Sequence, residues 1–199
     1  MNKSGVVNYY YYYPGYFSDA ACEKISNSVK TNNVAKVDGD QIPKDHVRKT
    51  QVGFTSENFI YDLICPVIQE ANIKAGWNYD ITWYEPAQIG KYADGGHYDW
   101  HNDSNGKTYK SQDPNFDGKL RKLSCSVILS DRAEYEGGNL QFAAECSPNN
   151  TEPEILENPS YNKKGSVIIF PSHVWHRVTP VTSGIRKSCV LWCLGPAFK

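Results

Sequence analysis

A mainly β fold with flanking helices is predicted by three features of this 199-residue sequence. Helical three-four spacing of apolar residues is confined to the first 76 positions. Beyond residue 77 the chain breaks into short apolar runs divided by Gly, Asn and Pro, the pattern of many short strands. Aromatic residues are abundant, with 14 Tyr and 5 Trp, and these suit a pleated surface. Helices first and strands afterwards suggest helices backing a jelly roll or barrel.

The elements follow in chain order. The tyrosine run 9–13 reads as a packed or edge strand rather than a binding platform. In PGYFSDAACEKISNSVK, Ser18 is a good N-cap and Phe17 can staple onto Cys22. The second helix lies in SENFIYDLICPVIQEANIKAG. Its residues Phe59, Ile60, Leu63, Ile64, Val67, Ile68 and Ala71 share a face, and Gly76 closes it. Pro66 inside that pattern predicts a kink or a break. Strands are expected at 79–84, 88–92, 98–103, 121–129, 139–142, 166–170, 174–181 and 186–194. Polar insertions at 104–119 and 145–164 read as mobile loops, and with segment 40–52 they are expected to frame a pocket mouth. The whole reads as one domain, residues 1–199, with helical support at about 17–76 and a β core at about 79–196.

Composition excludes several classes. A net charge of −1 gives no field to draw in nucleic acid or an anionic membrane. The N-terminal stretch lacks an apolar signal core, and no run of about 18 apolar residues occurs. Six cysteines show no Cys-x-x-Cys spacing. Cys189 and Cys193 would lie ~13 Å apart on one strand, too far to bridge. Cysteines acting as small hydrophobes in a reducing cytoplasm is the simplest reading, which leaves the sequons at Asn2, Asn102 and Asn149 idle. No Ser/His/Asp or Cys/His constellation and no Gly-rich phosphate loop stands out.

The chemistry concentrates in GGHYDWHND, residues 95–103, which holds two overlapping His-x-Asp copies: His97-Tyr98-Asp99 and His101-Asn102-Asp103. Chance yields roughly 0.3 such patterns in this composition, so one copy alone proves nothing. On a strand, residues i and i+2 share a face with Cα atoms ~6.6 Å apart, which lets an imidazole and a carboxylate converge on one ion. By that period His97, Asp99, His101 and Asp103 all share a face, and spacing does not choose between the pairs. A third ligand must come from elsewhere. His46, in KDHVRK, reads as solvated. His173 and His176 lie between two apolar strands, and their three-residue separation allows at most one of them to bind. Two histidines and one carboxylate, with open positions left, form the facial triad of non-haem Fe(II) oxygenases. A structural zinc site fits less well, since it usually takes four protein ligands.

Three segments carry a resemblance to a known family. QIGKYADGGHYDWHND, RKLSCSVILSDRAEYEGGNLQF and KGSVIIFPSHVWHRVTPVTSGIRKSCVLWCLGP resemble the Fe(II)- and 2-oxoglutarate-dependent dioxygenases. The nearest branch is the prolyl 4-hydroxylase-like group with bacterial and phage members. The first segment matches Gln-x3-Tyr-x2-Gly-x2-Tyr-x2-His-x-Asp when aligned on Gln88, Tyr92, Gly95, Tyr98, His101 and Asp103. That resemblance implies His101, Asp103 and His176 as metal ligands and Arg186 as the 2-oxoglutarate anchor. It implies a double-stranded β-helix core, Fe(II), 2-oxoglutarate and O2 as reagents, and ascorbate as an optional addition.

The residues support these roles. The remote carboxylate of 2-oxoglutarate needs a cationic fork, which a guanidinium provides bidentately. Strand period places Arg186, Ser188, Val190 and Trp192 on one face, so Arg186 and Ser188 are expected to hold one carboxylate. Tyr92 is expected to reach 2-oxoglutarate. Arg121 and Trp192, with Tyr98 and His97 at the rim, are expected to face substrate, His97 also as a neighbour of Asp103 or Asp99. The implied reaction converts O2 and 2-oxoglutarate to succinate and CO2 while hydroxylating a C–H bond. Prolyl residues in a peptide or protein lead as substrate. A free amino acid or other small metabolite, or a non-catalytic jelly-roll binding module, stand as alternatives. Alkylated nucleic acid is disfavoured by the near-zero charge.

Overall fold

The computed structural model describes residues 8–31, 33–35, 44–144 and 153–198. The chain begins with β1 (Tyr11–Tyr13), α1 (Asp19–Ser26), β2 (Asn33–Val34), β3 (Arg48–Lys49), β4 (Gln51–Thr55) and α2 (Asn58–Lys74). β5 (Trp83–Tyr84), β6 (Ala87–Tyr92), β7 (His97–His101), β8 (Lys119–Ile128), β9 (Tyr135–Gly137) and β10 (Leu140–Ala143) follow. β11 (Ile155–Leu156), β12 (Val167–Pro171), β13 (His176–Val178), β14 (Val181–Gly184) and β15 (Arg186–Pro196) complete it. The major sheet runs β1-β12-β8-β15-β6-β4-β2 with β5 on β15, the minor sheet runs β11-β10-β13-β7-β3, and β14 pairs with β9. All these pairings are antiparallel.

The major sheet is buried on both faces, and period-two alternation sorts its side chains. Ile89, Cys125, Val127, Ile169, Cys189 and Leu191 join α2 residues Ile60, Ile64, Val67 and Ile68 and α1 residues Cys22 and Ile25 in one core cluster. The opposite face contributes Tyr92, Ile128, Ile168 and Phe170 to a second cluster with Leu140, Phe142 and Val178 of the minor sheet. The tyrosine run obeys the same rule. β1 is an edge strand, with Tyr11 and Tyr13 packed on the first cluster and Tyr10 and Tyr12 on the second.

Local signals act as physical chemistry requires. Ser18 caps α1 by accepting from the Ala21 amide at 3.3 Å, and Phe17 and Cys22 meet in the first core cluster. Gly76, at φ +76°, terminates α2 where a side chain would be strained. Of the kink or break expected at Pro66, the break does not occur: α2 runs continuously from Asn58 to Lys74. Proline inside a helix costs about 3 kcal/mol. Burial of Ile64, Val67 and Ile68 around it returns about 1.5–3 kcal/mol for each side chain, and packing wins.

Several expected strand bounds are corrected. Only Trp83–Tyr84 of segment 79–84 pairs. The strand expected at 98–103 ends at His101, and the one expected at 174–181 divides between β13 and β14 in different sheets. Segment 40–52 is not a plain loop: β3 and the start of β4 lie in it, with 36–43 outside the described residues. The insertion 145–164 contains β11 and a short 3-10 turn over Pro159–Asn162, with 145–152 outside the described residues. Among the described residues the five cysteines 22, 65, 125, 189 and 193 are free thiols. No described helix is long and apolar enough to cross a membrane.

Candidate metal centre

A register shift decides between the two His-x-Asp copies. Across β7 and β13, His176 faces His101 and Val178 faces Tyr98, so an interval of three residues on β7 opposes two on β13. This bulge puts Tyr98 and His101 on the same inner face, where their rings stack at 3.4 Å. The expectation that His97, Asp99, His101 and Asp103 share a face fails for that reason. Asp99 is exposed and bonds the Trp100 amide at 2.7 Å, and Trp100 packs outward on Arg177 at 4.5 Å. His97, expected at the pocket rim or beside an aspartate, faces the carbonyls of Gly95 at 2.9 Å and His46 at 3.4 Å and does not line the cavity.

His101, Asp103 and His176 bring one ligand atom each to within 4.8 Å of one another. The His101 Nε2 lies 3.8 Å from Asp103 Oδ1, and the His176 Nε2 lies 3.6 Å from Asp103 Oδ2. Both imidazoles donate Nδ1–H to main-chain carbonyls, His101 to Asp99 at 2.7 Å and His176 to Val174 at 2.9 Å. A carbonyl only accepts, so the tautomer is fixed and each Nε2 keeps its lone pair for a metal. Burial and the neighbouring His176 hold the His101 imidazole well below its ordinary range, at about 3, so it stays neutral. Burial alone would raise the Asp103 carboxyl, but His176, His101, Arg121 and a hydrogen bond from Ser124 outweigh it and hold it at about 2. Asp103 lies just past the end of β7. Its amide donates to the Ser172 carbonyl at 2.8 Å, its Oδ2 accepts from Ser124 Oγ at 2.7 Å, and Ser172 Oγ lies 2.9 Å from that hydroxyl. Two imidazoles, each with Nε2 free to coordinate, and one carboxylate form a donor set that suits Fe(II) with open positions.

The same cavity, about 290 Å³, extends from this cluster to Arg186. Arg186 and Tyr92 are cross-strand partners, with the guanidinium carbon 5.2 Å from the ring centre. Arg186 is 1% exposed, donates Nη1 to Ser188 Oγ at 3.3 Å, and leaves Nε buried without a partner. Among the described residues no carboxylate lies within 4.0 Å of it. Gly138 makes room for it, since a Cβ there would stand 2.8 Å from Arg186 Cδ. A buried guanidinium lacking a counter-charge, beside a hydroxyl and at the end of a cavity, fits the remote carboxylate of 2-oxoglutarate.

A second bulge re-aims Arg121. Cys193 faces Leu123 but Leu194 faces Arg121, so Lys122 is the extra residue on β8. Strict alternation would send Arg121 to the helix side with Leu123. Instead it lies over Trp192 at 4.0 Å and clamps Glu85 bidentately at 2.7 and 2.8 Å. Tyr109 donates to the same carboxylate at 3.2 Å.

Nine of the ten residues given a ligand, cosubstrate or substrate role in the sequence therefore line one cavity: Tyr92, Tyr98, His101, Asp103, Arg121, His176, Arg186, Ser188 and Trp192. The tenth, His97, stays out. Sequence reasoning passed over Ser124 and Ser126, although their period-two recurrence inside the apolar run RKLSCSVIL marks a polar inner face. It also passed over Glu85 and Arg48. Glu85 carries no pattern of its own, and Arg48 sits in a segment read as loop.

A model of the 2OG-Fe(II) oxygenase superfamily matches residues 87–194, more than half of the chain. The chain belongs to this superfamily. Among curated relatives, this chain is 36% identical over 102 residues to a PKHD-type hydroxylase of Sphingopyxis alaskensis, covering 51% of this chain and 40% of that protein. It is 33% identical over 110 residues to one of a Janthinobacterium species, covering 55% and 43%. The chain thus spans about two fifths of the length of the curated relatives it matches. Among solved structures, it matches a viral collagen prolyl hydroxylase of Paramecium bursaria Chlorella virus-1 with a TM-score of 0.62 at 20% identity, covering 96% of this chain and 99% of the other. It matches a prolyl hydroxylase of Trichoplax adhaerens, solved with a hypoxia inducible factor peptide fragment, with a TM-score of 0.66 at 15% identity, covering 94% and 83%. These structural likenesses establish a shared fold. Fe(II), 2-oxoglutarate and O2 are the reagents of the superfamily.

Proposed function

We propose that this chain is a 2-oxoglutarate- and O2-dependent hydroxylase acting on prolyl residues of a peptide or protein. One observation carries the reading: a His-Asp-His cluster with both imidazole tautomers fixed shares a cavity with a buried guanidinium that, among the described residues, lacks a counter-charge. In it, His101, Asp103 and His176 hold Fe(II). Arg186 and Ser188 grip the remote carboxylate of 2-oxoglutarate, with Tyr92 beside them. When bound, the ferrous ion supplies the redox chemistry that couples oxidation of 2-oxoglutarate by O2 to hydroxylation of a C–H bond. The chain orients the reagents through fixed donors.

Tyr98, Arg121 and Trp192 form the substrate side. Arg121 is held rigid by Glu85 and stacked on Trp192, so it offers a fixed cationic and aromatic wall. The prolyl assignment draws on the relatives' own descriptions as hydroxylases and prolyl hydroxylases. A reducing cytoplasm as the working compartment accords with the free thiols among the described residues.

The test is succinate release from 2-oxoglutarate with and without Fe(II), in parallel with mass spectrometry of proline-containing peptides. Ascorbate is an optional addition to the assay. Fe(II)-dependent succinate and a 16 Da gain on proline are expected, the gain being one oxygen atom. Absence of both 2-oxoglutarate binding and succinate release overturns the enzyme reading in favour of a binding module.

A further inference from the structure

We infer that Arg48 is a carboxylate-binding site on the substrate side of the cavity, so that the substrate carries a carboxylate close to the carbon that is oxidised. This rests on the hydroxylase reading above and specifies its substrate.

Three arginines line the cavity, Arg48, Arg121 and Arg186, against two carboxylates, Asp103 and Glu85. Glu85 is taken up by Arg121 through two hydrogen bonds. Arg186 lies opposite Tyr92 and is the residue assigned to the cosubstrate. Arg48 has no such assignment. It is 7% exposed, and among the described residues no carboxylate lies within 4.0 Å of its guanidinium. Nη2 donates to the neutral Gln88 Oε1 at 3.3 Å, and Nε is buried without a partner. A guanidinium carries five N–H donors in a fork shaped for a carboxylate. A buried charge without a counter-charge costs several kcal/mol, and an incoming anion removes that cost. Ferrous ion and the 2-oxoglutarate dianion add equal and opposite charges, so loading the site leaves the excess positive charge unchanged.

The position suits a substrate contact. β3 pairs Arg48 with Tyr98, and the guanidinium carbon lies 4.5 Å from that ring centre. Tyr98 in turn stacks on His101 at 3.4 Å, so Arg48 stands one aromatic layer from the metal cluster. Phe54, the cross-strand neighbour of Gln88, is 53% exposed and lines the same cavity, which puts the Arg48–Gln88 pair at its open end. Two sources supply the carboxylate: an Asp or Glu adjoining the target residue in a peptide, or the α-carboxylate of a free amino acid.

The experiment titrates the full chain, saturated with Mn(II) and 2-oxoglutarate, with matched acid and amide probes. One pair is a capped Pro-Glu peptide against its Pro-Gln counterpart, and the other is L-proline against L-prolinamide. The acid of at least one pair is expected to bind about tenfold tighter or more, as hydrogen bonds between charged groups allow. Arg48→Gln levels that preference, and Arg48→Lys keeps part of it. A preference in the peptide pair assigns the carboxylate to a neighbouring side chain, and one in the proline pair assigns it to a free amino acid. Equal binding of acid and amide in both pairs, including no binding of either, overturns the proposal in wild-type protein without recourse to a variant. So does a preference that survives in Arg48→Gln protein of unchanged melting temperature. Loss of Fe(II)-dependent succinate release marks failure of the hydroxylase reading instead.

Discussion

His97-Tyr98-Asp99 and His101-Asn102-Asp103 are the same motif four residues apart, yet they meet opposite fates. The first copy faces outward, its imidazole against two main-chain carbonyls and its carboxylate in solvent. The second faces inward, with both Nδ1–H donors of the cluster spent on carbonyls and the carboxylate braced by Ser124. The difference comes from one bulge between residues 98 and 101, set by pairing with β13. A metal site is thus chosen by the strand opposite as much as by the residues in the motif. The strand that sets the register also carries the third ligand, His176.

Breaking the comparison outright has the largest expected effect. Asp103→Ala, His101→Ala or His176→Ala lowers activity by more than about a hundredfold, beyond what loss of an outer partner costs a metal site. His97→Ala and Asp99→Ala leave it within about threefold, since neither side chain faces the cavity. Paired measurements of succinate release and Mn(II) binding check both halves. Equal losses in the two copies would refute the assignment.

Next in size is the opposite end of the cavity. Arg186→Met removes the charge-assisted hydrogen bonds expected to hold 2-oxoglutarate, at about 1.5–3 kcal/mol each. Affinity for 2-oxoglutarate is expected to fall about a hundredfold while Mn(II) affinity holds. Calorimetric titration with each in turn separates the two ends. A parallel loss of metal binding would show that they are not independent.

A third effect is on acid stability of the metal-free protein. His101 titrates at about 3 in the fold against 6.5 ordinarily, so below pH 6.5 the unfolded chain takes up a proton that the folded chain refuses. Stability is therefore fully present above about pH 6.5 and falls as pH drops toward 3, by at most about 1.4 kcal/mol per pH unit. Asp103, lowered from 3.8 to about 2, adds a further loss only between those values. His101→Asn removes the first slope. Urea midpoints at pH 7, 6 and 5 test this, and equal slopes in wild type and variant would contradict it.

What the sequence disclosed follows the same division between regular and irregular backbone. Where alternation is unbroken, residue patterns located side chains correctly: Arg186, Ser188, Val190 and Trp192 all line the cavity. Spacing alone failed at the bulge near Asp99, because an unpaired residue is decided by long-range pairing that a local pattern does not contain. Only the resemblance of the longer motif selected His101 and Asp103 there. Arg48 and Glu85 were illegible for a related reason. Each stands at or beside a short strand whose partner is remote in sequence, and neither carries a periodic signal.

The smallest effect sharpens the comparison within the inner copy. Asp103 differs from Asp99 in having a dedicated hydroxyl donor: Ser124 Oγ holds Oδ2 at 2.7 Å, and Ser172 Oγ holds Ser124 at 2.9 Å. With Oδ2 engaged, Oδ1 is the oxygen left for a metal, and the carboxylate does not rotate freely. Ser124→Ala removes that brace but spares the hydrogen bond that the Asp103 main-chain N–H donates to the Ser172 carbonyl, so the carboxylate stays in place and loses only its orientation. Affinity for Co(II), read from its visible absorption, is expected to weaken about tenfold, the lower end for loss of an outer partner of a metal ligand. Ser126→Ala is the control, since Ser126 lies on the same inner face and lines the cavity while bonding no ligand. It is expected to leave Co(II) affinity unchanged within about twofold. Equal weakening by both variants would mean that the polar face as a whole, rather than the Ser124 hydroxyl, distinguishes Asp103 from its exposed counterpart.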